Sequence, residues 1–246
     1  MQRYQVLIEY EGTNFVGWQI QPKGKSVQKL IQNKISKLLK QKTILVGSGR
    51  TDSGVHAIEQ SAHFDVKKKI INLYKFSNSL NFFLNKELIS IIDIKKKKNK
   101  FHSRFSAKKR IYKYIIFNRK SVPSIQNNRG WHIKNKLDIN LMKKGCSKME
   151  GVHDFSTYRS SSCSAKSPIR KIDFIKIKKI KDKIEIRLKS QSYLQQQVRS
   201  MVGCLKYLGA KKWNLKKFKE VHNSKLRKNC APPAPALGLY LEKIIY

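Results

Sequence analysis

The residues of this chain that are suited to chemistry concentrate in one short segment. GSGRTDSG (47–54) sets three glycines around a single arginine, Arg50, and a single carboxylate, Asp52. Glycine lets a backbone turn sharply and approach a ligand closely, so the segment reads as a holding loop. A phosphate cradle is one use, but Asp52 puts negative charge where the phosphate would sit and no P-loop lysine follows. An anchored carboxylate is the better use. A neighbouring cation such as Arg50 keeps it ionised, as a nucleophile must be, or reaches toward a polyanion. A turn closed by an Asx-type hydrogen bond from Asp52 accounts for the same residues without any reaction.

The rest of the reactive inventory is thin. With 15 Asp plus Glu in the chain, the only close pair on one strand face is Glu9 with Glu11, too few for a two-metal nuclease. The six histidines form neither HExxH nor the HxE and PCxxC pairing of zinc deaminases. No GxGxxG follows a strand into a helix and no GxxxxGK[ST] occurs, which removes dinucleotide and nucleoside-triphosphate sites. Cys146, Cys163, Cys204 and Cys230 include no CxxC and no histidine at ligand spacing, so they read as reduced thiols, mostly in the core. The expected chemistry uses neither a metal nor an organic cofactor.

The elements that must position Asp52 follow from periodicity. Residues 4–10 alternate as a strand and lead into the Gly-rich, aromatic loop EGTNFVGWQIQPKGK. Ser26 is placed to cap a helix carrying Val27, Leu30, Ile31, Ile35, Leu38 and Leu39. TILV (43–46) reads as a short buried strand entering the glycine loop, and 60–66 as a strand leaving it. A helix through Leu73, Phe76, Leu80, Phe83 and Leu84 precedes a strand at 88–94, and KKKKNK (95–100) marks an exposed turn. A strand at 111–117 is followed by a loop-like stretch, where a boundary is expected between halves 1–120 and 121–246.

In the second half Asp138 is placed to cap a helix that Gly145 weakens. Strands 171–179 and 183–189 form a hairpin across a tight basic turn. A helix spans about Leu194 to Leu208 with Gly209 as its stop, Asn214 opens another, and GLYLEKII closes the chain as a strand. Meandering strands mixed with helices predict an α+β fold over a parallel doubly wound one.

Charge narrows the partners. Lys plus Arg number 54, a formal net charge of +39, and such a surface attracts polyanions, nucleic acid first among them. Part of that excess is ordinary compositional drift toward lysine. With 40% hydrophobic and 10% aromatic residues the chain has material for a core, so pervasive disorder is not expected. No apolar run approaches the roughly 20 residues of a membrane span, and the N-terminus lacks a signal-peptide pattern, so a soluble, cytoplasmic protein is expected. Arg104, Lys108, Lys109, Arg110 and Lys113 form a basic stretch interleaved with aromatics, suited to phosphates.

Beyond these readings, GRTDSGVHA (49–57) resembles the active-site motif of the tRNA pseudouridine synthase A family. YEGTNFVGWQ (10–19) resembles the family's N-terminal signature, FHSRFSA with RIYKY (110–114) its tyrosine motif, and GVHDFSTYR (151–159) its second-domain opening. QQQVRSMVG (195–203) and APALGLYL (234–241) resemble the last two blocks. All occur in family order across essentially the whole chain. The resemblance implies an α+β fold of two similar halves with a largely antiparallel sheet, and a homodimer. It implies isomerisation of uridine to pseudouridine in the tRNA anticodon stem-loop, at positions 38, 39 and 40, without metal or cofactor. By the same resemblance Asp52 is the catalytic carboxylate, Tyr112 the active-site tyrosine, Arg199 the partner of Asp52, and Arg50 a residue that helps extrude the target nucleotide; Arg104 and Arg110 are expected to bind substrate.

The residue types suit that assignment. Reaching the glycosidic bond means flipping the uridine at a few kcal/mol, which basic contacts offset. Asp52 is then placed to attack C1′ of the ribose or C6 of the uracil. Tyr112 offers a flat face and an O–H, with Tyr114 two residues on as packing. Arg199, on an otherwise apolar helix face, calls for an anionic partner. NSLNFFLNKELISI (78–91) departs from the family's Asn-rich, Pro-Asp-Ile stretch, having no proline and Glu87 for the aspartate, and the glutamines at 195–197 fall where the family varies. A non-catalytic basic RNA-binding protein, or a pseudouridine synthase acting on ribosomal RNA, are the alternative readings.

Overall fold

The computed structural model describes residues 1–246. In chain order the elements are β1 (Gln2–Tyr10), α1 (Val27–Leu39), β2 (Val46–Gly47), β3 (His56–Val66), α2 (Leu73–Leu84), β4 (Ile89–Lys97), β5 (Lys109–Asn118), β6 (Trp131–Ile133), α3 (Ile139–Ser147), β7 (Gly151–Asp154), β8 (Ile169–Ile180), β9 (Lys183–Ser190), α4 (Gln197–Gly209), α5 (Leu215–Asn223) and β10 (Leu239–Ile245). Strands and helices mix in both halves and most strand pairs are antiparallel, which is the expected α+β class.

Two compact units emerge: Met1–Lys108 with Tyr240–Tyr246, and Lys109–Leu239. The expected division at 120/121 does not describe them. The first unit takes back the end of the chain because β10 pairs in parallel with β3, Tyr240 opposite His56 and Leu241 opposite Ala57. A reading of the chain in order has no way to register that return.

In the first unit the strands run β4-β1-β3-β10, with β2 beside β3. α1 buries Val27, Ile31 and Ile35, and α2 buries Phe76, Leu80 and Leu84, each set four residues apart along one face of its helix. Each such side chain contributes about 1.5–3 kcal/mol on burial. Asn81 fastens α2 to β4: its Oδ1 accepts from Ile91 N–H at 2.6 Å and its Nδ2 donates to Ile91 C=O at 3.0 Å.

Three local expectations are corrected here. The strand expected at 43–46 is reduced to the two residues of β2. Side chains of α1 take the place of a neighbouring strand: Leu45 N–H donates to Gln32, Gln28 donates to Leu45 C=O, and Thr43 N–H donates to Ser36. Lys95–Lys97 are not a turn but the last residues of β4, because Gln5, Tyr4 and Arg3 of β1 continue the ladder opposite them. Ser26 stands at the N-cap position, yet its hydroxyl makes no capping bond. Before β4, Asn85–Glu87 form a 3₁₀ turn closed by Leu88 in the left-handed region, φ +56°.

In the second unit the strands run β5-β9-β8-β7, with β6 parallel to one end of β5. β8 and β9 form the expected hairpin, turning at Lys181 with φ +53°. α3 is capped by Asp138, whose carboxylate accepts from Leu141 N–H at 2.9 Å. Gly145 brings α3 close to α4, since a Cβ there would lie 2.6 Å from Leu208 Cδ2. α4 begins at Gln197, later than expected, because the Gln197 side chain reaches back to Leu194 N–H and Gln196 is left-handed. α4 ends at Gly209, the residue expected to stop it, and a Cβ there would meet Met142 at 2.7 Å.

Candidate active site

Two strands deliver and remove the glycine loop: β2 ends at Gly47 and β3 starts at His56. Below it, Ser48 N–H donates to Ser61 C=O at 2.8 Å, Ser48 Oγ donates to Gln60 Oε1 at 2.8 Å, and Gln60 Nε2 donates to Gly49 C=O at 2.9 Å. Gln60 is fully buried, so a side chain inside the core fixes the start of the loop.

The other wall comes from residues 10–18. Trp18 N–H donates to Thr51 C=O at 3.1 Å, and the Tyr10 and Thr51 hydroxyls share a 2.8 Å hydrogen bond. Gly54 N–H and Ser53 Oγ both donate to Phe15 C=O. Within the loop, Val55 N–H donates to Asp52 C=O at 3.2 Å, closing a turn with Gly54 at φ +76°. The carbonyls of Thr51 and Asp52 are thereby both engaged, and the backbone under the Asp52 side chain is held from either side.

Glycines are what let these segments meet. A Cβ on Gly17 would lie 2.6 Å from Thr51 O and 3.2 Å from Asp52 C, and one on Gly12 only 2.1 Å from Val55 O. His56 adds a further pin: its Nδ1 accepts from Gly12 N–H at 2.9 Å and its ring stacks on Tyr240 at 4.7 Å. The result is a graded surface in which Thr51 is buried, Asp52 half-buried, and Arg50 and Ser53 exposed. The loop thus carries a rigidly mounted, partly accessible carboxylate. Sequence reasoning saw the glycines of both segments but had no signal that they face each other; Gly12, Gly17, Tyr10, Gln60, His56 and Tyr240 were missed as supports.

The remaining first-unit residue is Arg104, exposed in the turn at 103–106, with its guanidinium carbon 5.7 Å from the Phe105 ring centroid.

The second unit holds the tyrosine motif and the α4 arginine. Arg110, Tyr112 and Tyr114 alternate along β5 opposite Ser190, Leu188 and Ile186 of β9. Arg110 Nη1 donates to Gln191 C=O at 2.5 Å. Tyr112 is largely buried, and Tyr193 meets it edge-on, the ring centroids 5.2 Å apart at 87°. Tyr114 is fully buried and its hydroxyl donates to Pro235 C=O at 2.8 Å. Burial pushes the Tyr114 phenol well above its ordinary value, with Arg199's charge pulling the other way, so it stays a protonated packing residue. A Cβ on Gly238 would sit 2.6 Å from Tyr114 Cζ, which explains the glycine in that block.

Arg199 is one of three α4 residues, with Lys206 and Tyr207, that the unit does not bury completely. Its Nε donates to Ala234 C=O at 2.7 Å, and Ala234 N–H donates back to Arg199 C=O at 2.9 Å. The segment 231–236 lies this close because Gly203 has no side chain; a Cβ would be 2.1 Å from Pro232 O. No group of three or more His, Cys, Asp or Glu is arranged to hold a metal ion, and no helix is long and apolar enough to cross a membrane.

Comparison with known proteins bears on the same residues. The family model described as tRNA pseudouridine synthase matches this chain twice, over residues 6–106 and 146–246, consistent with two similar halves. A protein of Pelagibacter ubique (strain HTCC1062) named tRNA pseudouridine synthase A is 66% identical over the whole length of both chains. Proteins of the same name from Maricaulis maris (strain MCS10) and Ehrlichia chaffeensis (strain ATCC CRL-10679 / Arkansas) are 36% and 40% identical, over 100% and 99% of this chain and 98% and 100% of their own.

Proposed function

The chain belongs to the tRNA pseudouridine synthase family, and from that membership we propose that it isomerises uridine to pseudouridine in the anticodon stem-loop of tRNA, at positions 38, 39 and 40, with Asp52 as its catalytic carboxylate. The observation that carries the assignment of Asp52 is its mounting: a half-buried carboxylate on a loop whose backbone is pinned by Trp18, Phe15 and the turn to Val55. A loop with an incidental aspartate has no need of glycines at 12 and 17 to admit a second segment against it.

The reaction breaks the bond between uracil N1 and ribose C1′, turns the base, and joins C1′ to C5. The C5 proton is lost and N1 gains one, so no oxidant, reductant or co-substrate is consumed. The base must leave its stack before Asp52 reaches it, at a few kcal/mol. Arg50, exposed two residues before Asp52, holds the extruded nucleotide, and Arg104 and Arg110 bind backbone phosphates. Tyr112 supplies a flat face for the uracil and a phenolic oxygen beside the proton leaving C5, which passes to water. Arg199, oriented by the carbonyl of Ala234, serves as the basic residue of the reaction. The enzyme works as a cytoplasmic homodimer and uses no cofactor.

The test uses unmodified tRNA tritiated at uracil C5 and counts tritium released to water. Wild type releases it; Asp52→Asn, isosteric on an unchanged backbone, folds and binds tRNA but releases none. Turnover by Asp52→Asn refutes the assignment of the carboxylate, and a folded wild type that binds tRNA without release refutes the activity.

A further inference from the structure

Two rings near Arg104, those of His102 and Phe105, have no part in the proposed reaction. Phe105 is 77% exposed, yet the turn that carries it is tightly built. The Nδ1 of His102 accepts from the backbone N–H groups of both Arg104 and Phe105, at 3.1 and 3.3 Å. His102 N–H donates to Ser106 Oγ, and Ser106 N–H donates back to His102 C=O. Underneath, Ser103 is fully buried: its hydroxyl donates to Val46 C=O at 2.6 Å, its N–H to His63 Nδ1 at 3.1 Å, and its carbonyl accepts from the Tyr246 hydroxyl.

The Phe105 ring rests on the His102 imidazole, centroids 4.4 Å apart and 32° between planes, and His102 in turn meets His63 edge-on at 4.7 Å. Burial, with Arg3 and Arg104 adding to it, pushes the His102 imidazole below its ordinary value, so the ring under Phe105 is neutral and flat. A lone exposed apolar side chain on a surface is ordinary. An exposed phenyl ring held on a second ring by a turn with its backbone groups paired is a preformed flat surface.

Its surroundings select the occupant. No Asp or Glu occurs between Asp93 and Asp138, and the other exposed residues of the stretch 98–108 are Lys98, Asn99, Lys100, Arg104 and Lys108. An apolar protein partner calls for neighbouring apolar surface, which these residues do not provide. Flat faces inside a cationic rim are how proteins hold unpaired bases: the ring stacks and the cations take the adjacent phosphates.

We propose that His102 and Phe105 form a stacking platform for one unpaired base of the RNA substrate, with Arg104 at the neighbouring phosphate. The inference rests on the reading that this chain acts on RNA, and it adds a contact distinct from the uridine that reacts.

The test uses the full-length protein with an unmodified tRNA transcript, comparing Phe105→Ala, Phe105→Leu and Phe105→Trp with wild type. Binding is measured across a salt series beside tritium release and thermal melting. Stacking predicts that Ala and Leu each weaken binding by roughly 5- to 150-fold while Trp restores it. The salt slope stays at the wild-type value for all three, because no phosphate contact is lost, whereas Arg104→Ala lowers it by about one. Melting is unchanged in every variant. Wild-type binding by Phe105→Ala overturns the platform, and so does full rescue by Leu, which supplies apolar contact without a flat face. A Phe105→Ala variant that melts earlier, or that changes oligomeric state at unchanged tRNA affinity, also overturns it. If wild type itself neither binds tRNA nor releases tritium, it is the proposed activity that fails.

Discussion

Gly17→Ala isolates the mounting of Asp52 from its chemistry, because it adds one methyl group behind the loop and leaves every proposed reactive residue in place. The new Cβ would stand 2.6 Å from Thr51 O and 3.2 Å from Asp52 C. Non-bonded heavy atoms settle near 3.5 Å, so either residue 17 or the Thr51–Asp52 backbone moves by up to ~0.9 Å. Gly17 also sits at φ +114°, where an alanine is strained by about 1–3 kcal/mol. Moving residue 17 away would stretch the Trp18 N–H bond to Thr51 C=O and the Val27 N–H bond to Gly17 C=O, so both sides of the contact resist. A reacting group misplaced by about 1 Å loses on the order of 10²-fold in rate, and the strain lowers the melting temperature by about 2–12 °C. The assay is single-turnover tritium release at saturating enzyme, with melting followed in parallel. Gly151→Ala is the control: it is strained at φ +96° but meets nothing closer than His153 Nε2 at 3.6 Å. That variant loses stability and keeps its rate. A Gly17→Ala enzyme that melts earlier yet turns over like wild type would refute the claim that this cradle positions the reacting carboxylate.

Two further outcomes follow from groups outside the reaction. Tyr114→Phe removes the donor to Pro235 C=O and costs about 1 kcal/mol in denaturant unfolding, with the rate unchanged; a tenfold loss of rate would place Tyr114 in the chemistry. His222, buried against His153, Phe155 and Tyr158, is lowered to about 4, first by burial and then by His153. The unfolded chain therefore takes up that proton more readily than the folded one. His222's contribution to stability is complete above the ordinary histidine value near 6.5, falls as the pH drops toward about 4, and is level below it. His63, lowered in the same way, adds to the same acid limb. His222→Asn should show a smaller fall in urea midpoint between about pH 7.5 and pH 5 than wild type, and an equal fall contradicts the assignment.

Local rules carried much of the fold. α1, α2, α5 and the β8–β9 hairpin lie where spacing and turn residues put them, because a buried stripe at three-and-four spacing or a strict alternation is a property of neighbouring residues. Departures occur where a distant group overrules a local preference. Side chains of α1, Gln28 and Gln32 at Leu45 and Ser36 at Thr43, replaced a strand partner, and β1 kept three lysines inside β4.

The candidate site divides along the same line. The residue types at 50, 52, 112 and 199, their order along the chain, and the family they resemble are all legible in the linear sequence, since motifs are contiguous. That Gly12 and Gly17 admit the Asp52 loop, that Tyr193 meets Tyr112 edge-on, and that residues 231–236 grip Arg199 depend on contacts between segments far apart in the chain. Periodicity and turn chemistry report only which face a residue presents. Which segment lies against that face is set when the core closes, because close packing admits one partner at each position and excludes the rest.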